Sequence, residues 1–198
     1  MGRAKNSIAK FTRAVKADHF WIRERRRKYQ NQTLSERQMF PHMVTMIGYQ
    51  MAVVLRIMQL LKDLGVPLGP QVVSRMIRHL YAAEIHPDAE IAPGVTLIHG
   101  NGVVISRAAR VAEECILFQN ITLGLGIDPQ TRESGAPTLE RNVHVGPGAT
   151  LLGPITIGEG SKIMAGVVVT ESVPPNSVVR APVPEVVGRK PPKQATGS

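Results

Sequence analysis

The chain is poor in cysteine: one residue, Cys115, in 198. A lone thiol cannot form an internal disulfide, so a disulfide-stapled scaffold is excluded and a reducing compartment fits. Aromatic residues are only 4% of the sequence, and a core must therefore be assembled from aliphatic side chains. No long uninterrupted apolar run is present. The longest, Met43 to Leu61, is broken by Tyr49, Gln50, Arg56 and Gln59, the pattern of a buried or amphipathic helix and not of a membrane span. The basic N-terminus is not followed by the apolar segment of a signal peptide, and the expectation is a cytoplasmic protein.

Acidic residues are scarce at the start of the chain. Residues 1–30 hold ten Lys or Arg, including Arg25-Arg26-Arg27-Lys28, against Asp18 and Glu24, which leaves this arm at +8 of the total +9. Such an arm reads first as a solvated helix face and second as a contact for an anionic surface. Only Phe20, Trp21 and Tyr29 lie near it and no nucleic-acid motif accompanies it, so nucleic acid is not an expected partner.

Two regions with different periods follow. Residues 7–29 lack Gly and Pro and carry spaced apolar positions, and Asn31 to Arg37 reads as a polar link. Met43, Met46, Ile47, Val54, Ile57, Met58 and Leu61 recur at helical spacing, with Gly65 placed to end that helix. Gly69-Pro70 opens a further helix in which Val72, Val73, Met76, Ile77 and Leu80 form an apolar stripe. The methionines are expected in core packing, where their flexible side chains fill irregular contacts. Residues 1–82 are therefore an expected α-helical region.

From Ile85 the period becomes six. Ile85, Ile91, Leu97 and Val103 lead; the frame slips by two and continues at Ile105, Val111, Leu117 and Leu123; it resumes at Leu139, Val145, Leu151, Ile157, Ile163 and Val169. Four residues beyond these anchors stands a second inward series, Val143, Ala149, Ile155, Ser161, Val167 and Val173, with Gly148, Gly160 and Gly166 between. Neither a helix nor a long flat strand has this period. A coil of three short strands does: the anchor points into a triangular prism, the small residue fits beside the corner, and glycine accepts the tight turn. Stacked coils bury one continuous aliphatic column, which is why few aromatics suffice. Residues 83–198 thus form an expected left-handed parallel β-helix with a C-terminal tail, mainly β. The aperiodic segment 124–138 is a loop extruded from it, a usual place for function on a rigid scaffold. Cys115, level with Ala109 and Ile121, is expected in the core.

These residues resemble the hexapeptide-repeat acyltransferases, and within them the serine acetyltransferase group. The similarity runs from Ile85-His86-Pro87 to about Gly188. It rests on Gly102-Val103-Val104-Ile105, Gln119-Asn120-Ile121-Thr122-Leu123-Gly124, Gly135-Ala136-Pro137-Thr138, Gly146-Pro147-Gly148-Ala149 and Val173-Pro174-Pro175-Asn176. The resemblance implies an acetyl-CoA-dependent O-acetyltransferase, assembled as a homotrimer or a dimer of trimers through residues 1–82, with sites between neighbours. It places His99 as the base that takes the proton from an acceptor hydroxyl, a task that suits an imidazole. Gly124, Lys162 and Ala165 fall on positions that line the acetyl-CoA groove, Lys162 toward the phosphates.

Departures from the family pattern bear on the acceptor. Ile98 stands where a typical serine acetyltransferase has Asp beside the histidine, and Gly135-Ala136 where it has Arg-His; Arg132 is close in sequence. Serine and a saccharide hydroxyl both remain as acceptors, and a non-catalytic trimeric scaffold is the alternative reading. His86 is expected as a cap and His144 as an outward surface residue. A metal site is not expected, because His86, His99 and His144 lack the spacing of a three-histidine centre.

Overall fold

The computed structural model describes residues 2–31, 35–128 and 130–182. The expected C-terminal tail beyond residue 182 and residues 32–34 of the polar link lie outside the described residues. Four helices precede the strands: α1 (Gly2–Gln30), α2 (Glu36–Thr45), α3 (Ile47–Leu64) and α4 (Gly69–Tyr81). The polar link is therefore shorter than its sequence suggests, and the Met43–Leu61 periodicity spans two helices. Met46 takes an extended backbone (φ −85°, ψ 109°) that separates α2 from α3. The mixed apolar spacing hides this break because Met46, on the non-helical residue, still packs against Ile22 and Tyr49. Gly65 ends α3 as expected, at φ 72°, its N–H donating to the carbonyls of Leu61 and Lys62.

The β-helix is wound in successive coils. The first carries β1 (Glu84–Ile85), β2 (Glu90–Ile91) and β3 (Thr96–Leu97), and the second β4 (Val104–Ile105), β5 (Arg110–Val111) and β6 (Ile116–Leu117). The third runs from β7 (Thr122–Gly124) through the excursion, β8 (Gly126–Ile127) and β9 (Ser134–Gly135), to β10 (Thr138–Leu139) and β11 (His144–Val145). Then come β12 (Thr150–Leu152), β13 (Thr156–Ile157), β14 (Lys162–Ile163), β15 (Val168–Val169) and β16 (Val178–Val179). Parallel pairing sorts them into three faces. The first holds β1, β4, β7, β12 and β15; the second β2, β5, β10 and β13; the third β3, β6, β11, β14 and β16. Register follows the hexads: Ile85 beside Ile105, Ile105 beside Leu123, Leu123 beside Leu151, Leu151 beside Val169.

Every anchor of the period-six series is buried, as is the second series through Val167, with Val173 half-buried at its end. Gly148, Gly160 and Gly166 sit at φ 69°, 71° and 70°, the left-handed corner conformation that the hexad pattern requires. The excursion 124–138 is more ordered than its lack of periodicity suggests. β8 and β9 pair antiparallel as a hairpin, Gly126 opposite Gly135 and Ile127 opposite Ser134.

The helical region is clamped onto the first coil by one buried ion pair. Arg56 of α3 donates from Nε to Asp18 Oδ2 of α1 at 2.7 Å and from Nη2 to Oδ1 at 3.0 Å. Its remaining N–H groups reach Gln59 Oε1 and the Ile91 and Ala92 carbonyls, each at 2.8 Å, while the Gly94 N–H donates to Asp18 Oδ1 at 2.7 Å. Both side chains are about 2–3% exposed. Charge at these depths is tolerated because every guanidinium donor is matched and both carboxylate oxygens accept. A second contact depends on size. A Cβ at Gly48 of α3 would collide with the Leu97 carbonyl, so only glycine lets α3 approach the end of β3 this closely.

Two readings of the helical region are corrected. The apolar stripe of α4 is two faces: Val73 and Ile77 are buried, whereas Val72, Met76 and Leu80 are exposed. The residues lie at adjacent angles on the helix, and only contact with α3 and β1 decides which are covered. The basic arm is not wholly a solvated face either. Lys5, Lys10, Arg13 and Lys16 are exposed, but Arg25 is 8% exposed beneath α1, with Nη2 donating to the Glu114 carbonyl.

Candidate active site

His99 lies just past β3, at the edge where the third face turns into the first. The Gly100 N–H donates to the Ile98 carbonyl at 2.8 Å, closing a three-residue γ-turn around His99, whose φ is 64°. A non-glycine residue in this region is held at a cost of about 1–3 kcal/mol, and such strain persists where the surroundings impose it. Here they do: a Cβ on Gly100 would meet the Met51 sulfur of α3, and one on Gly102 would meet the Asn120 side chain. The turn is thus pinned between α3 and the next coil, and it presents an exposed imidazole.

The same edge continues up the prism as a ladder of corner hydrogen bonds. The Asn120 N–H donates to the Asn101 carbonyl, Gly148 to Gln119, and Gly166 to Pro147, at 2.8, 3.0 and 2.8 Å. Ala165 lies on this edge and Lys162 on the third face beside it, both exposed. From His99 to Ala165 is three coil steps, about 14 Å at the spacing of paired strands. Gly146 on this edge has no room for a side chain: a Cβ there would stand 2.8 Å from the Ala165 nitrogen. Backbone therefore packs closely along this edge, with Ala165 exposed on it and Lys162 exposed beside it.

Gly124 is not on that edge. It ends β7 across the first face, at the root of the hairpin, where a Cβ would stand 2.6 Å from Leu152 Cδ2. One chain therefore brings His99, Ala165 and Lys162 together and leaves Gly124 and the hairpin on a different edge. The departure at Gly135-Ala136 sits in a crowded place. β9 lies so close to the neighbouring coil that a Cβ on Gly135 would approach Pro154 Cβ to 2.7 Å, and Ala136 is buried. Arg132 is exposed at the hairpin tip with φ 60°. Sequence reading did not single out Glu84, which opens the first coil and donates its N–H to the Val103 carbonyl, four residues past His99. Its carboxylate pairs with Arg78 of α4 at 2.5 Å.

The other histidines separate from His99. His86 is half-exposed after β1, its Nδ1 accepting the Asp88 N–H at 3.0 Å, which is the expected cap. His144 points outward from β11 as expected, but it is half-buried instead of lying on the surface. Burial, then the charges of Arg25, Lys162 and Lys28, push its pKa down to about 4. Cys115 is core: its thiol donates to the Glu140 carbonyl at 3.1 Å, and burial pushes its pKa up to about 12.

His144 carries a pH prediction. Above its unfolded pKa of about 6.5 the imidazole is neutral in both states and has no effect on stability. As pH falls from there toward 4, the unfolded chain takes up a proton that the folded chain refuses, so stability decreases, and it levels off below 4. The side chain is half-exposed, and solvent screening reduces the expected loss to about 1 kcal/mol. Urea midpoints of the wild type and of His144→Gln between pH 7 and 4 should diverge by that amount; parallel curves would contradict it.

Comparisons with known proteins agree with this fold. Residues 136–171 match the bacterial transferase hexapeptide (six repeats) family model. A serine acetyltransferase from Synechococcus elongatus is 41% identical over 132 residues, 67% of this chain and 53% of that protein. Among solved structures, a serine acetyltransferase from Brucella abortus in complex with coenzyme A matches with a TM-score of 0.76 and 25% identity. It is covered over 68% of its length, against 91% of this chain. The Neisseria gonorrhoeae serine acetyltransferase in complex with serine has the same fold, with a TM-score of 0.75 and 24% identity, over 91% of this chain and 70% of that one. The chain spans about half the length of the curated relatives it matches. The fold and the exposed histidine edge define a hexapeptide-repeat β-helix. Within that class, the β-helix of this chain is serine acetyltransferase-like.

Proposed function

We propose that the chain is an acetyl-CoA-dependent O-acetyltransferase in which His99 activates the acceptor hydroxyl. The observation that carries this reading is the exposed imidazole, held in a strained γ-turn at the foot of the edge that carries Gly146 and Ala165. The hydroxyl gives its proton to His99 and its oxygen attacks the thioester carbonyl; the C–S bond then breaks, and the thiolate of coenzyme A leaves and takes that proton back from His99. Acetyl-CoA supplies the activated acyl group, Lys162 faces its phosphates, and Ala165, with Gly124 of a neighbouring copy, leaves space for its arm. The names of the relatives, and the coenzyme A and serine held by the two solved relatives, support acetyl transfer to serine. They favour the enzyme over the scaffold reading.

The arrangement of edges supports a homotrimer. His99 and the hairpin root stand on different edges of one prism, so a site that uses both closes only between two copies. The exposed row Val72, Met76 and Leu80 on α4 is a further surface that a second copy would cover. No helix among the described residues is long and apolar enough to cross a membrane. A cytoplasmic location belongs to this reading and suits the buried lone thiol.

A second acceptor class has its own support. Serine brings a carboxylate and an ammonium, and a charged group left unpaired in a site costs a kcal/mol or more. Ile98 offers no charge and β9 has no room for a long side chain at Gly135. We expect L-serine to be acetylated with a raised KM, and a neutral sugar hydroxyl to match or exceed its kcat/KM. Thiol release from acetyl-CoA over a panel of both acceptors reads this out. A kcat/KM for serine far above every saccharide would show that Arg132 or a neighbouring copy rebuilds the amino-acid site, and thiol release with none would favour the scaffold.

A further inference from the structure

Where α1 meets the third face, cations outnumber carboxylates: the charge of Glu114 acts on Arg25, and the Trp21 and Tyr29 rings lie against Arg25 and Lys28. Arg25 is 8% exposed, and its Nη1 is buried with no hydrogen-bond partner while Nη2 holds the Glu114 carbonyl. Glu114 lies two residues before Ile116. In the sheet register, Ile116 of β6 stands beside His144 of β11, and His144 beside Lys162 of β14, so these side chains follow one another up the outer face. Lys28 projects from α1 one turn beyond Arg25. Among the described residues no carboxylate pairs with Arg25, Lys28 or Lys162. The Glu114 carboxylate is taken by Arg141, and Glu24 by Arg27. Burial pushes the Arg25 guanidinium down to about 10, and the charges that act on His144 are all cationic.

A guanidinium that is nine-tenths buried with an unused donor, near two ammonium groups that no carboxylate pairs, favours an anion beside it. Its donors suit a tetrahedral oxyanion with several acceptor oxygens. We propose that Arg25, Lys28, His144 and Lys162 form a phosphoryl-binding site between α1 and the third face of the β-helix. Lys162 belongs also to the acetyl-CoA site proposed above. On that reading, the phosphoryl group is one of coenzyme A, and the basic end of α1 clasps the phosphorylated end of the cofactor. A free phosphate is the other source of the same chemistry. His144, neutral near pH 7, adds an N–H donor beside the cations.

Calorimetric titration of the full chain with coenzyme A, dephospho-coenzyme A and inorganic phosphate tests this. Lys28→Gln and Arg25→Gln are each expected to weaken coenzyme A at least tenfold, and Lys5→Gln, an exposed lysine near the start of α1, to leave it unchanged. If the loss falls on coenzyme A but not on its dephospho form, the site holds the ribose 3′-phosphate. If both weaken together it holds the diphosphate, and if only inorganic phosphate weakens the source is a free anion. Lys28 is exposed, so its variant carries the test even where Arg25→Gln fails to fold. Binding unchanged in both α1 variants, a loss confined to Lys162→Gln, or no binding of any of the three probes overturns the proposal. Failure of the acetyltransferase reading is separately visible: thiol release is absent while these binding differences persist.

Discussion

Replacing His99 by Asn is expected to lower acetyl-transfer turnover by about 10² or more while acetyl-CoA binding stays near wild type. A positioned base contributes about 10²–10⁴ in rate, equivalent to about 3–5 kcal/mol of transition-state stabilisation. Asparagine is the informative substitution because the turn must be kept. His99 sits at φ 64°, a conformation that asparagine accepts more readily than most residues, so the Ile98-to-Gly100 turn survives while the imidazole is lost. His99→Ala should lose a similar factor and some stability besides. Turnover with saturating acetyl-CoA, together with binding of the cofactor alone, separates the two effects. A His99→Asn protein that retains most of its activity would remove His99 from the chemistry and return this edge to a binding or scaffolding role.

The largest expected effect on stability is at Asp18. Asp18→Ala leaves the Arg56 guanidinium 2% exposed with its charge unanswered and the Gly94 N–H without its acceptor. Removing one partner of a buried pair costs about 3–5 kcal/mol, a large part of the roughly 5–15 kcal/mol that holds a domain folded. Urea unfolding should show this loss. The double replacement Asp18→Leu with Arg56→Met should recover much of it, because no charge is then stranded. A loss of less than about 1 kcal/mol in the single variant would show that α1 is not held to the first coil by this pair.

How much of this could be read from residues alone differs from element to element. The hexad series at Ile85, Ile105 and Leu139 locates coils, faces and register, because each anchor has only one direction that buries it. Lys162 and Ala165 are singled out by the family resemblance, not by the period; the hexads fix only that Lys162 precedes an inward anchor and faces outward. Aperiodic segments are silent. The 124–138 excursion gives no sign that β8 and β9 pair, since a hairpin of so few residues leaves no repeat to detect. Met46 breaks a helix without disturbing the apolar spacing around it.

The sequence by itself determined the prism: its period, its inward aliphatic column and the core place of Cys115 are local consequences of a six-residue repeat. Tertiary structure alone decided what lies against the prism. Asp18 and Arg56 are 38 residues apart, and nothing in the surroundings of either announces a partner. His144 reads as surface from its hexad position and becomes half-buried only once α1 packs nearby. Arg25 reads as one charge in a basic run and proves to be a buried guanidinium. Period reports which way a side chain points; burial and charge depend on which distant element arrives to cover it.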